Sequence, residues 1–129
     1  MVLDNENKVF HLDFDEISPS QLYLSVEKLK GLQDFKMTEE EALPVKKFGS
    51  KIALTDGHHR AYLAYQSGAR KLPVYWDEDD LDWSIYEICL GWCQDEGVQR
   101  ISDFSERILT GVDYQKLWHD RCEETFQSE

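Results

Sequence analysis

The sequence predicts an α+β fold, in which a small mixed sheet with flanking helices is followed by a helical C-terminal lobe. Short apolar runs separated by turn residues occur up to Trp76, whereas apolar residues beyond it recur at helical spacing. A chain of 129 residues is long enough for one core and too short for two ordinary domains. We therefore expect one globular unit, with the sheet domain at residues 1–82 and a helical extension packed on it at residues 83–129.

The first half of the chain carries strand, cap and hairpin signals. Val9–Phe14 alternates between apolar and polar side chains and predicts a strand, and Ser25 can cap a short helix. The runs at residues 45–48 and 51–55 are separated by Gly49-Ser50, a loop of the length that suits a tight hairpin. We expect this hairpin to form part of the sheet.

A change of period after the hairpin predicts a second helix. Ala61 and Ala64 share one helical face, and Gly68 follows at a position where a helix end favours positive φ. Residues 72–76 then predict a further strand. Because Pro73 near its start cannot donate a ladder hydrogen bond, we expect either an edge strand or a first position for Pro73.

The C-terminal lobe is predicted to contain three helices. The first covers Trp83–Gln94, and the last follows Asp113. Between them a short helix, capped by Ser102 or Asp103, includes Phe104, Ile108 and Leu109. The four tryptophans of the chain fall at apolar positions of strands or helices, and we expect them in the core rather than on a base-stacking surface.

Composition indicates a packed protein inside the cell. Apolar residues make up 41% of the chain, no apolar run is long enough to span a bilayer, and the N-terminus lacks the features of a signal peptide. We expect a cytoplasmic protein without membrane contact, whose three cysteines are thiols. Cys89, Cys93 and Cys122 could with His119 supply zinc ligands, but without a C-x-x-C spacing buried thiols are favoured.

The charge is unevenly distributed. The net charge of −12 opposes non-specific binding of nucleic acid, which requires basic residues to neutralise phosphates. Residues 45–76 nevertheless contain six basic residues and one acidic residue, a net of +5, whereas the preceding and following segments carry −6 and −11. The overall charge disfavours DNA binding, but this one positive island keeps it open as an alternative.

The strand-to-helix turn Asp56-Gly57-His58-His59-Arg60 lies within that island. A helix N-terminus offers unpaired N–H groups and attracts anions, so an arginine and two histidines in the first turn are unfavourable unless an anion is bound there. Gly57 lacks the Cβ that would obstruct the approach of such an anion. Alternatively, Asp56 is simply the helix cap, Arg60 pairs with it or with another carboxylate, and the histidines are ordinary surface or core residues.

The order and spacing of several segments resemble the ParB/sulfiredoxin-like superfamily over most of residues 17–82. The matching segments are Ile17–Leu22 before the Ser25 helix, Leu43-Pro44-Val45, Leu54–Ala61, and Leu72-Pro73-Val74 after Gly68. The resemblance implies that Asp56, Gly57, His58, His59 and Arg60 bind the phosphates of a nucleotide. It implies ATP, ADP or CTP with Mg²⁺ as candidate ligands.

The diagnostic residues of the branches of that superfamily differ here. Sulfiredoxins carry a reactive cysteine where this chain has His58, and ParB partition proteins follow this domain with a basic helix-turn-helix where this chain is acidic. Free-serine kinases use a glutamate as general base where Gln21 stands, so a kinase would need Glu16, Glu27 or another carboxylate instead.

Two functions follow as hypotheses. The first is a nucleotide-dependent phosphotransferase or nucleotide hydrolase, in which His58 or His59 stabilises developing charge or relays a proton, and the acidic residues between Asp77 and Asp82 could hold Mg²⁺. The second is a non-catalytic module that binds a nucleotide or phosphorylated small molecule and contacts a protein partner through the acidic, Trp-rich lobe. ParB-like nuclease activity and DNA binding are disfavoured by the charge.

Overall fold

A computed structural model describes residues 8–80 and 82–126 and contains a curled five-stranded mixed sheet. The strands are β1 (Phe10–Asp13), β2 (Ile17–Ser18), β3 (Leu24–Ser25), β4 (Leu43–Phe48), β5 (Lys51–Leu54), β6 (Lys71–Trp76) and β7 (Ile108–Leu109). The sheet has the order β1-β6-β4-β5-β2, and β3 pairs separately with β7. The β6–β4 and β5–β2 pairs are parallel, whereas β1–β6 and β4–β5 are antiparallel.

Helices flank the sheet and dominate the C-terminal part. They are α1 (Val26–Gly31), α2 (His58–Gln66), α3 (Trp83–Glu96), α4 (Gly111–Tyr114) and α5 (Asp120–Phe126). A π-helical stretch, Gln115–His119, joins α4 to α5, and 3-10 turns lie at Phe14–Glu16, Glu39–Glu41 and Ile101–Glu106. The predicted α+β class with a C-terminal helical segment is confirmed.

The local signals in the first half act as predicted. The Ser25 Oγ accepts from the N–H of Lys28 and so caps α1. Gly49, at φ +62°, forms the tight turn that joins β4 to β5. Gly68, at φ +95°, follows the end of α2.

Of the two alternatives for Pro73, the edge strand is wrong, because β1 lies on one side of β6 and β4 on the other. Pro73 is opposite His11 in β1, and pairing with β4 begins only at Val74, which faces Leu43. Pro73 therefore precedes the first residue that β4 pairs with. Its missing N–H removes no hydrogen bond from the β4 ladder.

The short helix predicted with Phe104, Ile108 and Leu109 is present only around Phe104, as the 3-10 turn Ile101–Glu106. Its extension is wrong, because Ile108 and Leu109 form β7, which pairs in parallel with Leu24 and Ser25 of β3. A contact between segments so far apart in sequence leaves no periodic signal in either of them.

The two parts of the chain share one core. Leu54 and Leu72 of the sheet belong to the same buried cluster as Phe104 and Trp118 of the C-terminal part. The boundary proposed at residue 82 stays a prediction. Of the tryptophans, Trp118 is buried, but Trp76 is 40% exposed and its ring packs 5.0 Å from that of Phe10, so its predicted core position is wrong.

No helix within the described part of the chain is long and apolar enough to cross a membrane.

Candidate functional site

The connection from β5 to α2 is fixed from several sides. The Thr55 hydroxyl donates to Asp77 Oδ2 at 2.7 Å, and the Thr55 N–H donates to the Pro44 carbonyl at 3.1 Å. The Tyr86 hydroxyl donates to the Thr55 carbonyl at 3.3 Å. Because Thr55 is buried and bonded in this way, the turn that follows it has a defined starting direction.

Gly57 occupies a position that only glycine fits. Its φ is +82°, and a Cβ at this position would lie 2.7 Å from Leu43 Cδ2 and 3.0 Å from the guanidinium of Arg60. The Gly57 N–H donates to Asp56 Oδ1 at 2.8 Å, so this amide already has an anionic partner. Gly57 thus lets the Arg60 side chain lie close over the backbone of the turn.

His58 is a buried, neutral side chain that holds two segments together. Its Nε2 accepts from the N–H of Ser20 at 3.0 Å, and the Ser20 hydroxyl donates to the Leu54 carbonyl at 2.7 Å. Burial, followed by the neighbouring His59, lowers the pKa of His58 to about 3. With Nε2 as acceptor, the neutral ring carries its proton on Nδ1.

His59, like His58, accepts a hydrogen bond from a backbone N–H, in this case that of Ser25 before α1. Its Nε2 accepts from the N–H of Ser25 at 2.9 Å, and its ring meets the Tyr114 ring edge to face at 5.9 Å. Burial, followed by the charge of Lys28, lowers the pKa of His59 to about 4. Both histidines are therefore uncharged at neutral pH, and together they fasten the segment from Ser20 to Ser25 onto the first turn of α2.

Arg60 differs from the histidines because it is charged and has no counter-ion in the part of the chain that the structure describes. Its side chain is half-buried, and within residues 8–80 and 82–126 it forms no ion pair with a carboxylate. The alternative that Arg60 pairs with Asp56 is not observed. The first intrahelical bond of α2 runs from the Ala61 N–H to the Gly57 carbonyl at 2.9 Å, which leaves the amides of His58, His59 and Arg60 without an intrahelical acceptor.

A cleft of about 460 Å³ opens beside this first turn. It is lined by Gln21, Lys28, Gly31, Leu32, Tyr114 and the five residues from Asp56 to Arg60. All five residues predicted for the site therefore lie together at one cleft.

The cleft lining also includes two residues that the sequence did not indicate, Lys28 and Tyr114. The Lys28 ammonium lies 5.2 Å from the centre of the Tyr114 ring, and Gln21 Nε2 donates to the Tyr114 hydroxyl at 3.2 Å and to the Tyr23 carbonyl at 2.8 Å. Lys28 is on α1 and Tyr114 on α4, so only tertiary packing brings them to the turn. A lysine one turn into a capped helix gave no signal of its own.

Asp56 is the only carboxylate among the described residues that lines the cleft. Glu16 is engaged elsewhere, since it accepts from the N–H of Asp13 at 2.9 Å. Glu27 lies against Gly111, where a Cβ would come within 3.0 Å of its Oε1. Neither replaces the missing base at Gln21 in this arrangement.

The other sequence candidates lie apart from the cleft or have structural partners. Asp77 is buried and accepts from the Thr55 hydroxyl and from the N–H of Asp79. In the described segments, no three His, Cys, Asp or Glu side chains are grouped so that they could hold a metal ion.

Comparison with known proteins gives little similarity. No model of a known protein family matches the chain, and no curated protein matches it. Four solved chains match, among them protein Atu1540 from Agrobacterium tumefaciens, with 13% identity and a TM-score of 0.46. That match covers 73% of this chain and 51% of the other, so this chain spans about half the length of the solved protein. A likeness at this level carries no argument about function, and the resemblance to the ParB/sulfiredoxin-like superfamily stays a prediction.

Proposed function

We propose that this protein binds a phosphate-bearing ligand, either a nucleotide or a phosphorylated small molecule, in the cleft at the start of α2. The observation that carries this proposal is Arg60, a half-buried guanidinium that has no ion pair among the described residues and lies over the backbone of Gly57. A planar guanidinium matches a phosphate with two parallel hydrogen bonds.

The remaining surroundings suit an anion. The free amides of the first turn of α2 point toward the N-terminal end of the helix, where its dipole is positive. Lys28 supplies a second cation at the cleft. Asp56 opposes these charges, but its carboxylate already accepts from the Gly57 N–H and so helps to shape the turn.

The size of the cleft supports a ligand larger than inorganic phosphate. A volume of about 460 Å³ falls within the range of roughly 300–1,000 Å³ that is usual for small-molecule sites. A nucleoside diphosphate or triphosphate is compatible with this range, and ATP, ADP and CTP with Mg²⁺ are the first ligands to test.

The hydrogen bonds and the pKa values of the two histidines support a binding site better than a catalytic site. Each uses Nε2 to accept from a backbone N–H, and each has a lowered pKa, so neither is arranged to exchange a proton with a ligand at neutral pH. The catalytic roles predicted for His58 and His59 stay predictions. We assign them a positioning role in this proposal.

A small-molecule phosphotransferase is the second candidate, and Asp56 is the observation that favours it. This carboxylate is exposed, lines the cleft and is next to Arg60 in the same turn, where it could accept the hydroxyl proton of an acceptor molecule. The −12 net charge still disfavours DNA binding or cleavage.

Thermal unfolding with ligands tests the binding proposal. We expect at least one of ATP, ADP, CTP and GTP, with or without Mg²⁺, to stabilise the protein, by about 2.7 kcal/mol at a hundred times its Kd. Arg60→Ala should weaken that ligand about 100-fold, since a hydrogen-bonded charge pair contributes roughly 1.5–3 kcal/mol. Arg70→Ala is the matched control, because Arg70 is exposed and does not line the cleft.

Two results would contradict the proposal. One is that neither a nucleotide nor inorganic phosphate changes the melting temperature. The other is that Arg60→Ala responds to the ligand as strongly as Arg70→Ala. The variant Asp56→Asn tests the phosphotransferase candidate. It should still bind the ligand, and analysis of reaction products should show that any turnover is lost.

A further inference from the structure

The side-chain amide of Gln21 lines the cleft, and two acceptors fix its orientation. Its Nε2 donates to the Tyr23 carbonyl at 2.8 Å and to the Tyr114 hydroxyl at 3.2 Å. A carbonyl oxygen can only accept a hydrogen bond, so the amide atom that contacts the Tyr23 carbonyl must be the nitrogen. Both hydrogens of this amide are therefore used within the protein.

The oxygen of the same amide, Gln21 Oε1, accepts no hydrogen bond from any residue that the structure describes. Among these residues, every fully buried side-chain nitrogen or oxygen has a hydrogen-bond partner, so Oε1 must be an atom that solvent reaches. An amide oxygen carries lone pairs and no hydrogen. Gln21 can therefore offer a ligand an acceptor, but it has no N–H left to donate.

The hydroxyl of Tyr114, which also lines the cleft, has the opposite capacity. It accepts from Gln21, and no acceptor for its own hydrogen is found among residues 8–80 and 82–126. Burial raises the pKa of Tyr114, so the hydroxyl keeps this hydrogen at neutral pH. Gln21 and Tyr114 thus present one acceptor and one donor from a single hydrogen-bonded pair.

The backbone that carries Gln21 is held in place before any ligand binds. The Gln21 carbonyl accepts from the Cys93 thiol at 3.4 Å, and the carbonyl of the fully buried Leu22 accepts from Arg107 Nε at 2.8 Å. A group that is already fixed loses little conformational freedom when a ligand binds to it. The pair is therefore arranged to discriminate between ligands by their hydrogen-bonding groups.

We propose that Gln21 and Tyr114 recognise a hydroxyl group of the ligand, so that the cleft selects phosphate esters that also carry a free hydroxyl, a selectivity that rests on the phosphate site proposed above. A hydroxyl both donates and accepts, so it can donate to Gln21 Oε1 and accept from the Tyr114 hydroxyl. A carboxylate can only accept and an ammonium group can only donate, so neither matches both residues. The two residues determine specificity and exchange no proton.

Two kinds of molecule supply a phosphate ester with a free hydroxyl. A nucleotide has hydroxyl groups on its ribose, and a phosphorylated polyol has them on its carbon chain. Each kind offers a matched pair of probes that differ only in hydroxyl groups. The first pair is ADP and its analogue that lacks both ribose hydroxyls, and the second is glycerol phosphate and propyl phosphate.

Isothermal titration calorimetry of the full chain with both pairs, and with inorganic phosphate as the reference, tests the proposal. In at least one pair, the hydroxylated member should bind about tenfold more tightly, as the loss of one or two net hydrogen bonds implies. A preference within the ADP pair would identify the ligand as a nucleotide. A preference within the glycerol phosphate pair would identify it as a phosphorylated polyol.

Gln21→Met keeps the length of the side chain but removes the amide, so it should abolish the preference while inorganic phosphate binds as before. Tyr114→Phe should reduce the preference to about threefold. Gln66→Met is the matched control and should retain the full preference. Gln66 also donates to a tyrosine hydroxyl, that of Tyr62 at 3.3 Å, but neither of these residues lines the cleft.

The wild-type protein alone can overturn the proposal, even if a variant fails to fold. Equal affinities within both pairs would do so, as would esters that all bind no more tightly than inorganic phosphate. Loss of the preference in Gln66→Met as well as in Gln21→Met would also contradict it. In each of these cases, binding of inorganic phosphate that depends on Arg60 would leave the phosphate site standing, whereas a wild type that binds no phosphate compound would remove both proposals together.

Discussion

The first turn of α2 and the acidic segment at residues 77–80 both follow strands of the same sheet, but they treat charge differently. In the acidic segment, the buried carboxylate of Asp77 accepts from the Thr55 hydroxyl and from the Asp79 N–H. In the first turn, Arg60 is half-buried and has no ion pair within the described residues. A charge with internal partners supports the fold, whereas a charge without them is available to a ligand.

The largest effect on stability is expected at Asp77, the buried carboxylate with internal hydrogen-bond donors. Asp77→Ala removes two hydrogen bonds and leaves the buried Thr55 hydroxyl without its acceptor, so the free energy of unfolding should fall by about 3 kcal/mol. Chemical denaturation measures this change. Asp80→Ala is the control, because Asp80 is exposed and its loss should change stability by less than about 0.5 kcal/mol. Equal losses of unfolding free energy in Asp77→Ala and Asp80→Ala would show that the internal hydrogen bonds of Asp77 do not stabilise the fold.

A pH titration tests the neutral histidine in the first turn. The pKa of His58 is lowered to about 3 in the folded protein from 6.5, so the unfolded chain binds a proton more readily between these values. Its contribution to stability is complete above pH 6.5 and is lost as the pH falls toward 3. Between pH 7 and pH 5 the loss should be about 2 kcal/mol.

The matched variant for this titration is His58→Gln, which keeps a hydrogen-bonding side chain but does not titrate. Denaturation curves for this variant should show a shallower decline of stability between pH 6.5 and pH 5 than those for the wild type. If both proteins declined in parallel, His58 would not be the group responsible.

Gly57→Ala should have a smaller effect on stability, of about 1–2 kcal/mol, because alanine is strained at φ +82° and its Cβ would contact Leu43 at 2.7 Å. The added methyl group also meets the Arg60 guanidinium, so ligand affinity should fall together with stability. Gly49→Ala is a useful control. It has a similar positive φ, but no atom lies within 4 Å of its added Cβ, and it should retain ligand affinity.

The smallest effect on stability is expected at Arg60, the guanidinium without an ion pair among the described residues. Arg60→Ala breaks no ion pair with any residue that the structure describes, so the free energy of unfolding without ligand should change by about 0.5 kcal/mol or less. The same variant is expected to bind the ligand far less tightly. A large loss of stability in the absence of ligand would mean that Arg60 is a structural residue like Asp77.

Local signals in the sequence predicted the parts of the fold that are determined locally. The Ser25 cap, the Gly49 turn and the glycines around α2 act through backbone geometry within a few residues, so their outcome could be read from those residues. The strand-to-helix turn from Asp56 to Arg60 was predicted from the same kind of local signal. Its five residues are consecutive in sequence, and all of them line one cleft.

Distant packing determined what the sequence could not predict. The pairing of Ile108 with Leu24, the interior position of β6 and the exposure of Trp76 each depend on which segments meet in space. Lys28 and Tyr114 reach the cleft in the same way. The sequence also could not show that the two histidines accept hydrogen bonds from backbone amides. A sequence does not distinguish a histidine that is charged in the folded protein from one that is neutral.

The position of Tyr114 in the cleft wall has a consequence for biosynthesis. A ribosome makes α1 and the first turn of α2 long before it makes α4, yet Tyr114 must pack against His59 and Lys28 to complete the cleft. A nascent chain that ends before residue 114 contains every residue of the Asp56–Arg60 turn but lacks one wall of the pocket. The protein therefore acquires a complete cleft only after residue 114 has been translated.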